Sequence, residues 1–207
     1  MASNPSAVLL RKQLAEFRKR PVEGFSAGLV DDNDVYEWDI TIFGYIPSPS
    51  LPSHLLITAK NEQDSATYLC HSFPTLQFSS PADTLYDGAF LRARMSFPAE
   101  FPLLPPKLRF TTQMWHPNIY PDGTVCISIL HPPGNDEYGY EDAGERWLPV
   151  HTIESILVSV TSLLASENPN TESPANIDAA KELRDDPANY KKRVRRLARK
   201  SAEDCFD

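Results

Sequence analysis

The spacing of apolar residues changes once along this chain, near residue 150, and that change restricts the folds open to it. Before it, Val35-Tyr36-Glu37-Trp38-Asp39-Ile40-Thr41-Ile42-Phe43 alternates apolar and polar, the period-two pattern of a half-buried strand. Phe90 to Phe97 alternates again, and Lys107 to Phe110 forms a short further strand. After it, Ile153, Ile156, Leu157, Val160, Leu163 and Leu164 recur at helix spacing. Asn176 to Asp185 predicts a shorter helix, and Pro187 to Glu203 a last one with Tyr190, Val194 and Leu197 on one face. Residues 5 to about 19 predict an N-terminal helix along Leu10, Leu14 and Phe17, stopped by Pro21. Strands first and helices after give an α+β domain, an antiparallel meander between an N-terminal helix and C-terminal helices.

Composition narrows the function classes. The 207 residues are 41% hydrophobic, enough for a real core, and the 19 prolines against 8 glycines punctuate it. A net charge of −8 argues against nucleic acid as a partner, because phosphate binding rests on Lys and Arg. The longest apolar stretch, Ile156 to Ala165, is broken by Ser159, Thr161 and Ser162 and falls short of the ~20 residues a membrane span needs. No signal-peptide pattern opens the chain. Cys70, Cys126 and Cys205 are odd in number, far apart and without a Cys-x-x-Cys pair. They argue against a disulfide framework or a structural metal site and for a reducing compartment, cytoplasmic or nuclear. By composition alone a lone cysteine reads as a small core residue more readily than as a nucleophile.

The densest unusual chemistry runs from Met114 to Leu130. Pro117, Pro121 and Gly123 make this a loop, so Cys126 follows a rigid turn. A thiol is a good acyl carrier, being both nucleophile and leaving group as its thiolate. A cysteine hydrolase would need a histidine base; His116 and His131 are the candidates by proximity in sequence, and neither is assured. His116 in a proline-fixed turn also suits a ring bonded to nearby backbone.

His116-Pro117-Asn118, Cys126 eight residues after Asn118, Trp147-x-Pro149 and the Pro102-Leu103-Leu104-Pro105-Pro106 run resemble the ubiquitin-conjugating enzymes. The likeness is to the G-type subfamily with an acidic insert after the cysteine. It rests on Val125 to Gly134, Tyr138-Gly139-Tyr140-Glu141, Glu145-Arg146-Trp147 and Ser173-Pro174-Ala175-Asn176. It implies the ubiquitin-conjugating fold, with a four-stranded meander whose first strand carries Ser26. It also implies that Cys126 takes ubiquitin as a thioester from an activating enzyme and passes it, with a RING-type ligase, to lysines of substrate proteins or of ubiquitin. That chemistry would build chains for proteasomal degradation. No cofactor is implied on the chain itself, since ATP is consumed by the activating enzyme.

The resemblance also assigns residues. Asn118 would support the oxyanion or hold the active-site loop, and Glu145 would be the acid near the cysteine. His116, Pro117, His131, Asp136, Glu137 and Trp147 would support the site, while Leu103, Pro149 and Val150 would meet the ligase. No triad is expected, because thiol exchange needs mainly proximity. The single acids of 131–145 read first as a solvated loop. Aminolysis is harder, since only about 4 in 10,000 lysines are neutral at pH 7. The alternative is a non-catalytic binding protein of the same pathway, inactivated by an insertion.

That insertion is residues 45–80, in the strand 2–strand 3 loop of a core spanning 5–207. It separates Gly44 from Pro81-Ala82-Asp83-Thr84-Leu85-Tyr86-Asp87-Gly88, which run on directly in the family. Removing its 36 residues leaves 171, whereas hairpin loops ordinarily have about two to five. Two explanations stand open: a disordered segment with a binding role, or a retained intron, since Gly44-Tyr45 can encode a GTAT donor and Ser80 can begin with an AG acceptor. A last feature is the run from Lys191 to Lys200, seven cations and no acid, either a solvated helix face or a surface for an acidic partner.

Overall fold

A computed structural model describes residues 4–22, 24–44, 84–134 and 141–205. The 45–80 insertion, Cys70, Asp136 and Glu137 lie outside them.

Helix α1 (Pro5–Lys19) begins where Asn4 accepts from the Ser6 N–H and Pro5 supplies a first-turn residue that needs no donor. It buries Leu10 and Leu14, with Phe17 half-buried. The Ser6 hydroxyl donates to the Ala99 carbonyl (2.7 Å) and ties the helix to the loop at 97–106. Strands β1 (Phe25–Asp31), β2 (Asp34–Phe43), β3 (Phe90–Ser96) and β4 (Lys107–Phe110) form one antiparallel sheet in chain order. Trp38 pairs with Met95, Ile40 with Ala93 and Ile42 with Leu91, so the alternation seen in the sequence becomes one continuous buried face.

Helices α2 (Ile153–Ala165), α3 (Ile177–Asp185) and α4 (Pro187–Glu203) follow. A Thr152–Ser155 capping box starts α2, whose Ile156, Leu157 and Val160 are fully buried. Asn176 caps α3 rather than belonging to it, because its side chain accepts from the Ala179 N–H. On α4 the buried residues are Tyr190, Val194, Ala198 and Ser201. The predicted Leu197 is only half-buried, since the stripe drifts by one position over three turns.

The β2–β3 connection spans the insertion, yet its two ends are closed tightly. Phe43 pairs with Phe90, and the Gly44 N–H donates to the Ala89 carbonyl (2.7 Å). A Cβ on Gly44 would stand 1.9 Å from the Tyr86 carbonyl oxygen, so only glycine fits there. This end of the sheet is opposite the 97–106 loop between β3 and β4.

Candidate active site

After β4 the chain folds back along that strand. The Phe110 N–H donates to the Gly123 carbonyl and the Val125 N–H to the Leu108 carbonyl, each at 2.9 Å. Gly123 has φ +91°, and a Cβ there would meet the Phe110 oxygen at 2.1 Å. Asp122 fixes the turn by accepting from the Thr124 N–H and hydroxyl (2.9 Å each), bonds that hold its carboxyl below its usual range. Running antiparallel to β4, Thr124 and Val125 lead Cys126 toward the 97–106 end of the sheet, away from the Phe43–Phe90 end. The Cys126 N–H donates to the Asn118 carbonyl at 3.0 Å, and its side chain is half-buried.

The two candidate histidines part company here. His116 is buried, its Nδ1 accepts from the Asn118 N–H (3.0 Å), and its ring bonds to the Leu163 carbonyl. Burial pushes it down to about 4, so it is a neutral brace and not the cysteine's base. Pro117 extends the brace, its carbonyl accepting from the Asn176 N–H at 2.8 Å. Asn118 donates its side-chain N–H to the Asn170 carbonyl (3.1 Å), while its buried Oδ1 has no partner among the described residues.

His131 is the ring that reaches the sulfur. A short 3₁₀ turn at Ser128–Leu130 returns it to Cys126, with Nε2 3.6 Å from Sγ. Its Nδ1 lies 2.8 Å from both oxygens of Glu141, which also accept from the Ser128 hydroxyl (2.9 Å) and pair with Arg146 (3.6 Å). The bond to Cys126 first, then Glu141, against the opposing effect of burial, push His131 up to about 9. The protonated ring donates from both nitrogens, to sulfur on one side and to carboxylate on the other. The Tyr120 hydroxyl also meets Cys126, whose charge raises it above its ordinary value.

Two expectations are corrected by this geometry. A Cys–His–acid array does exist, where none was expected. One acid of the 131–145 segment is also not solvated: Glu141 is 19% exposed, because it must balance His131 and Arg146. Glu145 stands exposed in the turn after Asp142, and its side chain makes no hydrogen bond or ion pair among the described residues. Glu141 and Tyr120 were missed. The usable signals were an acid four residues ahead of the Glu145-Arg146-Trp147 run and a tyrosine two residues after Asn118.

Trp147 is fully buried and joins two loops. Its backbone N–H donates to the His131 carbonyl (3.1 Å), and its indole N–H to the Pro102 carbonyl (2.8 Å). That bridge brings the loop of Leu103 beside the loop of Pro149 and Val150. Leu103 and Val150 are 65% and 79% exposed, an apolar pair that the core does not use.

Known proteins resemble this arrangement. The family profile described as ubiquitin-conjugating enzyme matches residues 58–198. Ubiquitin-conjugating enzyme E2 15 of Schizosaccharomyces pombe is 53% identical over 203 residues, covering 98% of this chain and 99% of that protein. The chain belongs to the ubiquitin-conjugating enzyme family. Within that family the G type is the match. Human ubiquitin-conjugating enzyme E2 G2 is 40% identical over 195 residues, 93% of this chain and 95% of that one. The solved structure of human ubiquitin-conjugating enzyme E2 G1 superimposes with a TM-score of 0.55 at 41% identity, covering 80% of this chain and 99% of that chain. A ubiquitin-conjugating enzyme is an acyltransferase that works through a cysteine thioester with ubiquitin, an activating enzyme and a ligase. The non-catalytic alternative gains no support from these relatives. No helix among the described residues is long and apolar enough to cross a membrane.

Proposed function

We propose that Cys126 is the thioester cysteine, and that His131, held by Glu141, manages the protons of both transfer steps. The observation that carries this reading is the line from Sγ through the imidazole to the Glu141 carboxylate. In charging, the sulfur attacks the activating enzyme's ubiquitin thioester as a thiolate; a new C–S bond forms and the old one breaks. The Nε2–H is placed to supply the proton that the departing thiolate takes.

Charging also removes the sulfur as an acceptor, and with it the largest influence keeping the ring protonated. His131 thus becomes a base when an acceptor lysine needs one. The ring takes one proton from the lysine ammonium, the amine attacks the thioester carbon, Cys126 leaves, and the second proton goes to solvent. Glu145, exposed in the turn after Asp142, would orient the ammonium together with Asp136 and Glu137. Asn118 acts here as the loop's positioning residue through its bonds to Cys126 and Asn170.

The fuller reading is chain building on ubiquitin lysines for proteasomal degradation, in the cytoplasm or nucleus, with a RING-type ligase on Leu103, Pro149 and Val150. The chain itself holds no cofactor, ATP being used upstream. The 45–80 segment is read as an insertion into a 5–207 core, because Gly44 and the Pro81 to Gly88 run are the pieces that the family joins directly.

Pulse-chase discharge tests the proposal. Protein precharged with labelled ubiquitin is given ubiquitin and a RING-type ligase. The expected result is ligase-stimulated di-ubiquitin, slowed about 100-fold by His131→Gln with charging much less affected. Equal discharge by wild type and His131→Gln would refute the histidine's role, and release of free ubiquitin alone would refute transfer.

A further inference from the structure

The run from Lys191 to Lys200 places seven cations in ten residues, and the fold divides them. Arg193 turns inward: its guanidinium lies 3.4 Å from the centre of the Trp115 ring and 3.5 Å from a Glu182 carboxylate oxygen. Lys191, Lys192, Arg195 and Arg199 instead line one open groove of about 770 Å³ between α4 and the turn that precedes β3. Leu85 is half-buried in the facing wall, and Asp87 is the one acid among the described lining residues. None of the four cations has an ion pair or a side-chain hydrogen bond among the described residues. A solvated basic face would spread its charges around the helix; here four of them converge on one concavity.

We propose that this groove docks an acidic segment of a partner protein, bound extended, with carboxylates alternating with apolar side chains. The spacing matches. Lys191, Arg195 and Arg199 recur every four residues, about 6 Å along the helix axis. Alternate side chains of an extended peptide recur at about 6.6 Å and face opposite ways. One set of side chains therefore meets the α4 cations while the other meets Leu85. Charge favours a peptide over nucleic acid, since the chain is −8 overall and everything outside 191–200 carries −15. A polyphosphate long enough to leave the groove would be repelled, and Leu85 offers it nothing. The groove lies at the Phe43–Phe90 end of the sheet and Cys126 at the other, so an occupied groove leaves the thioester free to react.

Fluorescence anisotropy on the full chain tests this, using a labelled peptide of alternating glutamate and leucine. Micromolar binding that salt weakens is expected, and about tenfold or greater loss in Lys191→Glu/Arg195→Glu. The neutral pair Arg195→Gln/Arg199→Gln gives the same loss by a gentler change, and neither variant alters thioester charging. The proposal is overturned if the glutamine–leucine peptide binds equally well or if both variants keep wild-type affinity. An oligothymidylate of equal charge binding as tightly would also overturn it.

Discussion

His116 and His131 are one residue type in two opposite environments. Burial without a counter-charge holds His116 neutral down to about pH 4, so it contributes stability that is complete above its unfolded value of 6.5. That contribution, on the order of 3 kcal/mol, is lost as pH falls from 6.5 to about 4. His131 runs the other way. Its raised value gives stability complete below pH 6.5 and lost as pH climbs through about 9. NMR titration of the ring protons separates the two: His131 stays charged past neutrality, and both Glu141→Gln and Cys126→Ser lower its midpoint. A midpoint near 6.5 in the wild type, or one that Glu141→Gln leaves in place, contradicts the site. Sequence spacing could propose His131 but could not choose it over His116. The choice depends on the 3₁₀ turn and on an acid ten residues away, and only the folded loop brings Glu141 there.

The turn at Tyr120–Thr124 sets where Cys126 points, and Gly123 is its fixed point. Gly123→Ala combines a positive φ with a backbone collision against Phe110, so it should cost about 1–3 kcal/mol in chemical denaturation and slow charging further than the stability loss explains. A neutral substitution would mean that the turn does not aim the cysteine. Elements with a strong period were legible from sequence: β2, β3, β4, α2 and α4 all stand within a residue or two of where the pattern placed them. Strand β1 was not. Phe25-Ser26-Ala27-Gly28-Leu29-Val30-Asp31 is an edge strand, half-exposed and broken by small residues, so its alternation is faint. The family resemblance implied it, and Ser26 does stand exposed on it.

Across the whole molecule, Gly44, where the chain leaves β2 for residues 45–80, and Cys126 stand at opposite ends of the sheet. The β2 and β3 ends that flank residues 45–80 are joined through the Gly44–Ala89 hydrogen bond and the Phe43–Phe90 pair, and the length of a connection acts on closure entropy only slowly. Deleting 45–80 should therefore leave charging within about twofold and raise stability by about 2 kcal/mol at most. A deletion variant that no longer charges would give the segment a role in the reaction. Sequencing the transcript decides between an expressed insertion and a retained intron. The central claim, that this chain carries ubiquitin on Cys126, meets its most direct test in a charging reaction with activating enzyme, ATP and ubiquitin. Intact-mass measurement with and without reducing agent should find one ubiquitin on the wild type, removed by thiol. Cys126→Ser should carry either none or an ester that thiol leaves intact. No adduct on the wild type, or a thiol-labile adduct that persists in Cys126→Ser, would contradict the account.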